Sequence, residues 1–165
     1  MKIERIFDSH GDKLFHYLTV KLGSPLEAED VLQEVFYRLF KYRMRLRLTT
    51  NLTAYVFRMA RNEAVNFIKK KRKNSKIQHS AKDLSQLFKE NTEGPDQELL
   101  NQASEALAEI PENQREVIVL KYFEGLSFKE IARVCGVSMG TITSRYRYGM
   151  QKLRFILEDK NGKST

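Results

Sequence analysis

The chain has 165 residues and 41% apolar content, enough for one domain or two small ones with compact cores, and its single cysteine excludes an internal disulfide. No apolar run approaches the length of about eighteen residues that a membrane span needs, and the N-terminal MKIERIF lacks a signal-peptide core, so a cytoplasmic protein without membrane insertion is expected. The net charge of +8 is uneven: residues 1–75 carry sixteen basic and eight acidic residues, 76–98 three and five, and 99–165 ten and eight, which suits a nucleic-acid partner better than a lipid surface.

Periodicity predicts helices throughout. The first runs over about Ile3–Leu22, with Ile6, Leu14, Phe15, Leu18 and Leu22 inward and an interruption near Gly11. Ser24-Pro25-Leu26-Glu27 then reads as N-cap, first-turn proline and capping-box glutamate. The helix behind it buries Val31, Leu32, Val35, Phe36, Leu39 and Phe40 and runs out in the basic stretch Lys41–Arg47. A loop at Thr49-Thr50-Asn51 caps a long helix, Leu52–Lys73, with Tyr55, Val56, Met59, Ala60, Ala64, Phe67 and Ile68 inward. From Asn74 to about Glu98 the pattern fades into a polar, acidic linker punctuated by Gly94-Pro95.

A second module begins near Asp96 with a helix through Leu99, Leu100, Ala103, Leu107 and Ile110. Pro111 opens another through Val117, Ile118, Leu120 and Phe123, closed by Gly125. Residues 127–149, SFKEIARVCGVSMGTITSRYRYG, carry two short helical patterns at helix-turn-helix spacing. Ser127 and Glu130 form a capping box, Ala132 is small at the crossing, and Gly136 suits a positive-φ turn. Ser138 caps the second helix, which continues as a core stripe of Ile142, Tyr146, Met150, Leu153 and Leu157. The fold class expected is all-α: two small helical domains joined by a flexible linker, the second containing a helix-turn-helix, with boundaries at 1–75, 76–98 and 99–160.

Catalytic chemistry finds no support. His10, His16 and His79 have no metal-ligand spacing with one another or with Cys135, and neither a phosphate loop nor a nucleophile elbow is present. No cofactor and no metal are expected. Cys135 sits at a core position and reads as a small hydrophobe. Three surfaces remain. Asp30, Gln33 and Glu34 share one polar helical face, which chemistry alone allows as a solvated surface or a protein contact. Arg58, Arg61, Asn62, Asn66, Lys69 and Lys70 line the long helix behind the Thr49–Asn51 loop; amides reach base edges and cations reach phosphates, although a solvated basic face fits equally. The third is the start and outer face of the last helix: Ser138, Met139, Gly140, Thr143, Ser144, Arg147 and Tyr148.

At these residues the chain resembles a bacterial extracytoplasmic-function sigma factor. The first module does so through AEDVLQEVF at 28–36 and YVFRMARN at 55–62. The second does so through IPENQREV at 110–117, YFEGLS at 122–127 and GTITSR at 140–145. The resemblance implies that Asp30, Gln33 and Glu34 meet the β′ clamp helices of core RNA polymerase. It also implies that the first module reads and melts the −10 element through the loop around Leu46–Asn51 and the face Arg58, Arg61, Asn62, Asn66, Lys69 and Lys70. The second module then reads the −35 element through Ser138, Met139, Gly140, Thr143, Ser144 and Arg147, near the β flap, and an anti-sigma factor is a further possible partner. The chain departs from the family pattern at Tyr55, where Trp is common, at Asn66, where an acid is common, and at Thr143, where a base is common. The function so implied is non-enzymatic promoter-specific initiation. The alternative is a polymerase-independent helix-turn-helix regulator acting as a dimer. Free of polymerase, the two modules are expected to move independently on their linker.

Overall fold

A computed structural model describes residues 3–74 and 97–162, with side chains from residue 102 onward in the second stretch. Its elements are α1 (Ile3–Leu22), α2 (Pro25–Lys41), α3 (Arg43–Leu46), α4 (Leu52–Asn74), α5 (Gln97–Glu109), α6 (Glu112–Ile118), α7 (Phe128–Cys135) and α8 (Met139–Gly162). A π-helical turn, Val119–Phe123, extends α6. The protein is all-α with two helical domains, as the sequence indicates. Most of the expected linker, and His79 with it, lies outside the described residues.

The start signals work as the sequence implies. Ser24 Oγ accepts from the Glu27 amide at 3.3 Å, with Pro25 in the first turn of α2. Asn51 Oδ1 accepts from the Ala54 amide at 2.8 Å and starts α4. The Ser127–Glu130 box closes in both directions, at 3.2 and 2.8 Å, and Gly136 ends α7 with φ 67°. These bonds satisfy amides that no helical carbonyl can reach.

In the first domain α1, α2 and α4 pack on one another; in the second, α6 and α7 each pack on α8, with α5 laid along it. The domains are not apart. Helix α4 packs against α7, and one apolar cluster runs from Ile6, Leu18 and Phe57 to Val117, Leu126, Ile131 and Ile142. A smaller cluster under α5 joins Leu107, Ile110 and Ile118 to Tyr146, Met150, Leu153 and Ile156. In this arrangement the two domains are in direct contact.

Four local expectations change. Gly11 does not interrupt α1; it is buried within one continuous helix beneath the ring of Phe7. Phe40 is 56% exposed instead of buried, because Leu39 takes the inward position and its neighbour turns about 100° away. Phe123 is 42% exposed because the π turn adds a residue to the last turn, so that Glu124 swings inward in its place. Phe57, absent from the expected core, is fully buried and meets Tyr17 edge-on at 5.8 Å. Helix α4 is covered on two sides, which a single apolar stripe does not reveal.

Gly149 marks where α8 crosses α6. A Cβ there would lie 2.9 Å from Ile118 Cδ1 and 3.2 Å from Gln114 Cβ. Gly149→Val is expected to destabilise the protein by about 1–3 kcal/mol through overpacking, read as a lower denaturation midpoint in urea.

Candidate nucleic-acid and partner interfaces

Helix α2 turns Asp30, Gln33 and Glu34 outward, all exposed, while Ala28, Val31 and Val35 hold its other side in the core. Glu34 is partly engaged: Arg38 Nε donates to its Oε1 at 2.8 Å, and Arg38 Nη1 lies 3.0 Å from Oε1 of Glu63, a nearly buried carboxylate on α4. The three residues thus form one patch, with Glu34 steadied through Arg38 by the helix beneath.

The basic face of α4 divides in two. Asn62, Asn66, Lys69 and Lys70 are exposed towards solvent. Asn51, Arg58 and Arg61 instead turn to the second domain. Asn51 Nδ2 donates to Glu130 Oε1 at 2.9 Å, and Arg61 Nε to Glu116 Oε1 at 3.1 Å. Arg58 lines an open cleft of about 460 Å³ with Lys129, Arg133, Val137, Ser138 and Met139. Residues expected to read two separate promoter elements therefore border one cleft.

Glu116 is the centre of this contact and is 7% exposed. Its Oε1 accepts from Tyr17 Oη at 2.7 Å, Lys21 Nζ at 3.0 Å and Arg61 Nε at 3.1 Å, all from the first domain. The Cys135 thiol points at Oε2 from 3.9 Å. Burial opposes ionisation of this carboxyl, but Lys21, Arg61 and the Tyr17 bond outweigh it and hold its pKa below the usual 4.5. The same burial, then the same carboxylate, push the Cys135 thiol up to about 11, so it stays protonated as a small hydrophobe should. Nearby, His16 Nδ1 meets Glu124 Oε1 at 2.5 Å, and Lys21 also meets Glu112 at 3.0 Å.

At the start of α8, Ser138 Oγ accepts from the Thr141 amide at 3.2 Å, and Met139, Gly140 and Thr143 are exposed. Thr143 Oγ1 donates to the Met139 carbonyl at 2.8 Å, and Ser144 is half-buried. Arg147 is exposed with its guanidinium 5.0 Å from the Tyr148 ring. Of these groups, Arg147 has the longest reach.

Two features escaped the sequence reading. One lies at the end of α2 and just beyond it: Tyr37, Phe40, Tyr42, Met44 and Leu48 are exposed, with Arg43 over Phe40 at 4.7 Å and Arg45 over Tyr42 at 5.2 Å, a ledge of rings and cations. Alternating aromatic and basic residues in a short segment were the available signal, and such pairing suits unstacked bases. The other is the buried set Glu116, Glu124 and Glu63, which no local pattern announces.

Because its pKa is depressed on folding, Glu116 contributes stability that is complete above 4.5 and lost as pH falls through the lower folded value. Glu116→Gln is expected to destabilise the closed chain at neutral pH by about 3–5 kcal/mol, as when one member of a buried pair is removed. The gap to the wild type should narrow as acid protonates Glu116, a convergence that denaturation curves across pH will show.

Among the described residues no group of His, Cys, Asp and Glu could hold a metal, and no helix is long and apolar enough to cross a membrane. The family model for Sigma-70 region 2 matches residues 6–74, and that for Sigma-70 region 4 matches 100–153. The chain is 28% identical to the ECF RNA polymerase sigma factor SigW of Bacillus subtilis, over 93% of this chain and 88% of that protein. It is 27% identical to the ECF RNA polymerase sigma factor SigL of Mycobacterium tuberculosis, with the same coverage of 93% and 88%. Among solved structures, the sigma factor RpoE with the anti-sigma factor NepR from Bartonella quintana shares the fold at TM-score 0.74 and 21% identity, covering 94% of this chain and 96% of that one. CnrH with the cytosolic domain of CnrY does so at TM-score 0.69 and 19% identity, covering 95% and 88%. Two region models in this order, over helices that place a polar patch, a basic helix and a helix-turn-helix at the surface, show that the chain belongs to the sigma-70 family as a promoter-recognising sigma factor of the extracytoplasmic-function type.

Proposed function

We propose that residues 1–75 act as region 2, 76–98 as the linker and 99–160 as region 4. Asp30, Gln33 and Glu34 meet the β′ clamp helices of core RNA polymerase, and the second domain meets the β flap. The observation that carries this reading is the exposed acid–amide patch on α2, in a chain that also bears a basic helix and a helix-turn-helix. A regulator that works without polymerase has no need of that patch. The loop before α4, with Asn51, Arg58, Arg61, Asn62, Asn66, Lys69 and Lys70, serves the −10 element. The ledge of Phe40, Tyr42, Arg43 and Arg45 beside it supplies stacking surfaces for a melted strand. Ser138, Met139, Gly140, Thr143, Ser144 and Arg147 serve the −35 element, and an anti-sigma factor completes the partners that the family implies. The protein itself makes no covalent bond.

Polymerase binding tests the first contact. The double variant Gln33→Ala, Glu34→Ala should keep its helical circular dichroism and lose co-elution with core polymerase, since truncating one side of a charge-assisted contact costs about 2–5 kcal/mol. Unchanged co-elution would remove the assignment.

The −35 element should be read weakly base by base. Thr143 spends its hydroxyl on the backbone, Ser144 is half-buried, and Ser138, Met139 and Gly140 cannot form the bidentate bond that Arg makes to guanine. Arg147→Ala is expected to reduce promoter binding strongly. Single −35 changes should cost near the lower end of the usual range of about 1–3 kcal/mol. Transcription from a randomised promoter library checks both, and −35 positions far less tolerant than −10 positions would overturn them.

A further inference from the structure

We propose that the cleft between α4 and the α7–α8 turn binds a small phosphorylated ligand, a nucleoside triphosphate by chemical class. Its phosphates meet Arg58, Lys129 and Arg133, and its base lies on Ala132, Val137 and Met139. These residues line an open cleft of about 460 Å³. Pockets that hold small ligands run from about 300 to 1,000 Å³, so a nucleotide is of the right size. Lys129 and Arg133 have no part in the promoter contacts assigned above.

The charges here run against the rest of the domain contact. Elsewhere, groups of the first domain meet acids of the second: Lys21 and Arg61 meet Glu116, His16 meets Glu124, and Asn51 meets Glu130. In the cleft, Arg58 of the first domain shares its space with two cations of the second. Lys129 and Arg133 are four residues apart and lie on one face of α7. All three cations are exposed, and among the described residues none of them forms an ion pair. Glu130, the acid between Lys129 and Arg133 in sequence, gives one oxygen to Asn51 and the other to the Ser127 amide. Like charges gathered across an interface oppose it, and an anion placed between them turns that repulsion into attraction.

The rest of the lining decides what kind of anion fits. A chain of phosphates offers each cation its own acceptor oxygens, and a guanidinium takes two of them at once. An inorganic phosphate needs the cations alone, whereas this cleft also has an apolar wall. Ala132 and Val137 are half-buried in it and Met139 is exposed. The unbranched, polarisable thioether of Met139 packs well on an aromatic ring, which suits a purine or pyrimidine base. Helix α8 begins at Met139, so its positive end adds to the field in the cleft. Because Arg58 comes from α4 and the other two cations from α7, a bound ligand bridges the two domains and favours the arrangement that forms its site.

The test titrates the full-length protein, without polymerase, with ATP by isothermal titration calorimetry at about 0.15 M salt, where distant surface charges are screened. Saturable binding is expected with a Kd below about 1 mM. Lys129→Ala, Arg133→Ala changes two exposed positions, so the variant should keep its helical circular dichroism. It is expected to bind ATP about tenfold or more weakly, since each charge-assisted bond lost is worth about that much. Arg58→Ala, on the other domain, is expected to weaken binding about tenfold as well. Lys152→Ala, Arg154→Ala removes the same charge from exposed positions of α8 outside the cleft and should leave the affinity within about twofold. Inorganic tripolyphosphate should bind more weakly than ATP, because it has no ring for the apolar wall. The absence of saturable ATP binding overturns the proposal, as does an equal loss in the Lys152, Arg154 variant or an unchanged affinity in Arg58→Ala. Tripolyphosphate bound as tightly as ATP overturns the nucleoside assignment. A pool of single-stranded oligonucleotides that needs Lys129 and Arg133 where ATP does not overturns the site as well and gives the cleft to nucleic acid. Run-off transcription by the wild type with core polymerase reports separately on the sigma-factor reading.

Discussion

The buried carboxylate of Glu116 fixes the arrangement of this molecule. One oxygen accepts from a phenol, an ammonium and a guanidinium that come from two helices of the other domain. A carboxylate so enclosed must be surrounded by donors, because an unpaired buried charge is costly. Conversely, Lys21, whose side chain is only 5% exposed, is tolerated there only because Glu116 and Glu112 meet it. Tyr17 is likewise kept a donor: burial first, and then the adjacent Glu116, push its phenol well above its ordinary pKa. Each group makes the others acceptable, so the contact forms as a unit.

That unit explains why α4 carries two kinds of residue on adjacent faces. Its apolar side packs on α1 and α2, as any helix in a three-helix domain must. Its second covered side packs on α7, where Phe57 is buried and Arg61 is bonded. The polar residues beyond that contact, Asn62, Asn66, Lys69 and Lys70, remain in solvent. A helix covered on two sides and exposed on a third cannot show one clean stripe. Its mixed pattern reflects packing on two sides, against the first domain and against α7.

Much of this was legible in the chain. Caps and turns act over three or four residues, so Ser24, Asn51, Ser127 and Gly136 announced their elements correctly. Exposed faces with helical spacing, such as Asp30, Gln33 and Glu34, were equally local. What failed depends on distance in sequence or on a change of period. Phe123 was misplaced because a π turn inserts one residue that no 3.6-residue pattern anticipates. Phe57 and Glu116 were missed because their partners, Tyr17 among them, lie far along the chain. Gly149, a helix-interior glycine, made sense only once α6 lay across it.

The same distinction bears on how the two reading surfaces share their work. A side chain that bonds its own helix has less to offer a base, and Thr143 does so. Ser138 is likewise committed to capping α8. The second domain therefore offers few free donors for discrimination, while its helix N-terminus and Arg147 can still fix it on the phosphates. The first domain has the opposite balance. It carries amides at Asn51, Asn62 and Asn66 and an exposed aromatic ledge at Phe40 and Tyr42. Amides and rings read bases that have left the stack, which a duplex does not present. On the proposed reading, sequence discrimination is coupled to strand opening, with the helix-turn-helix setting position and the first domain setting identity.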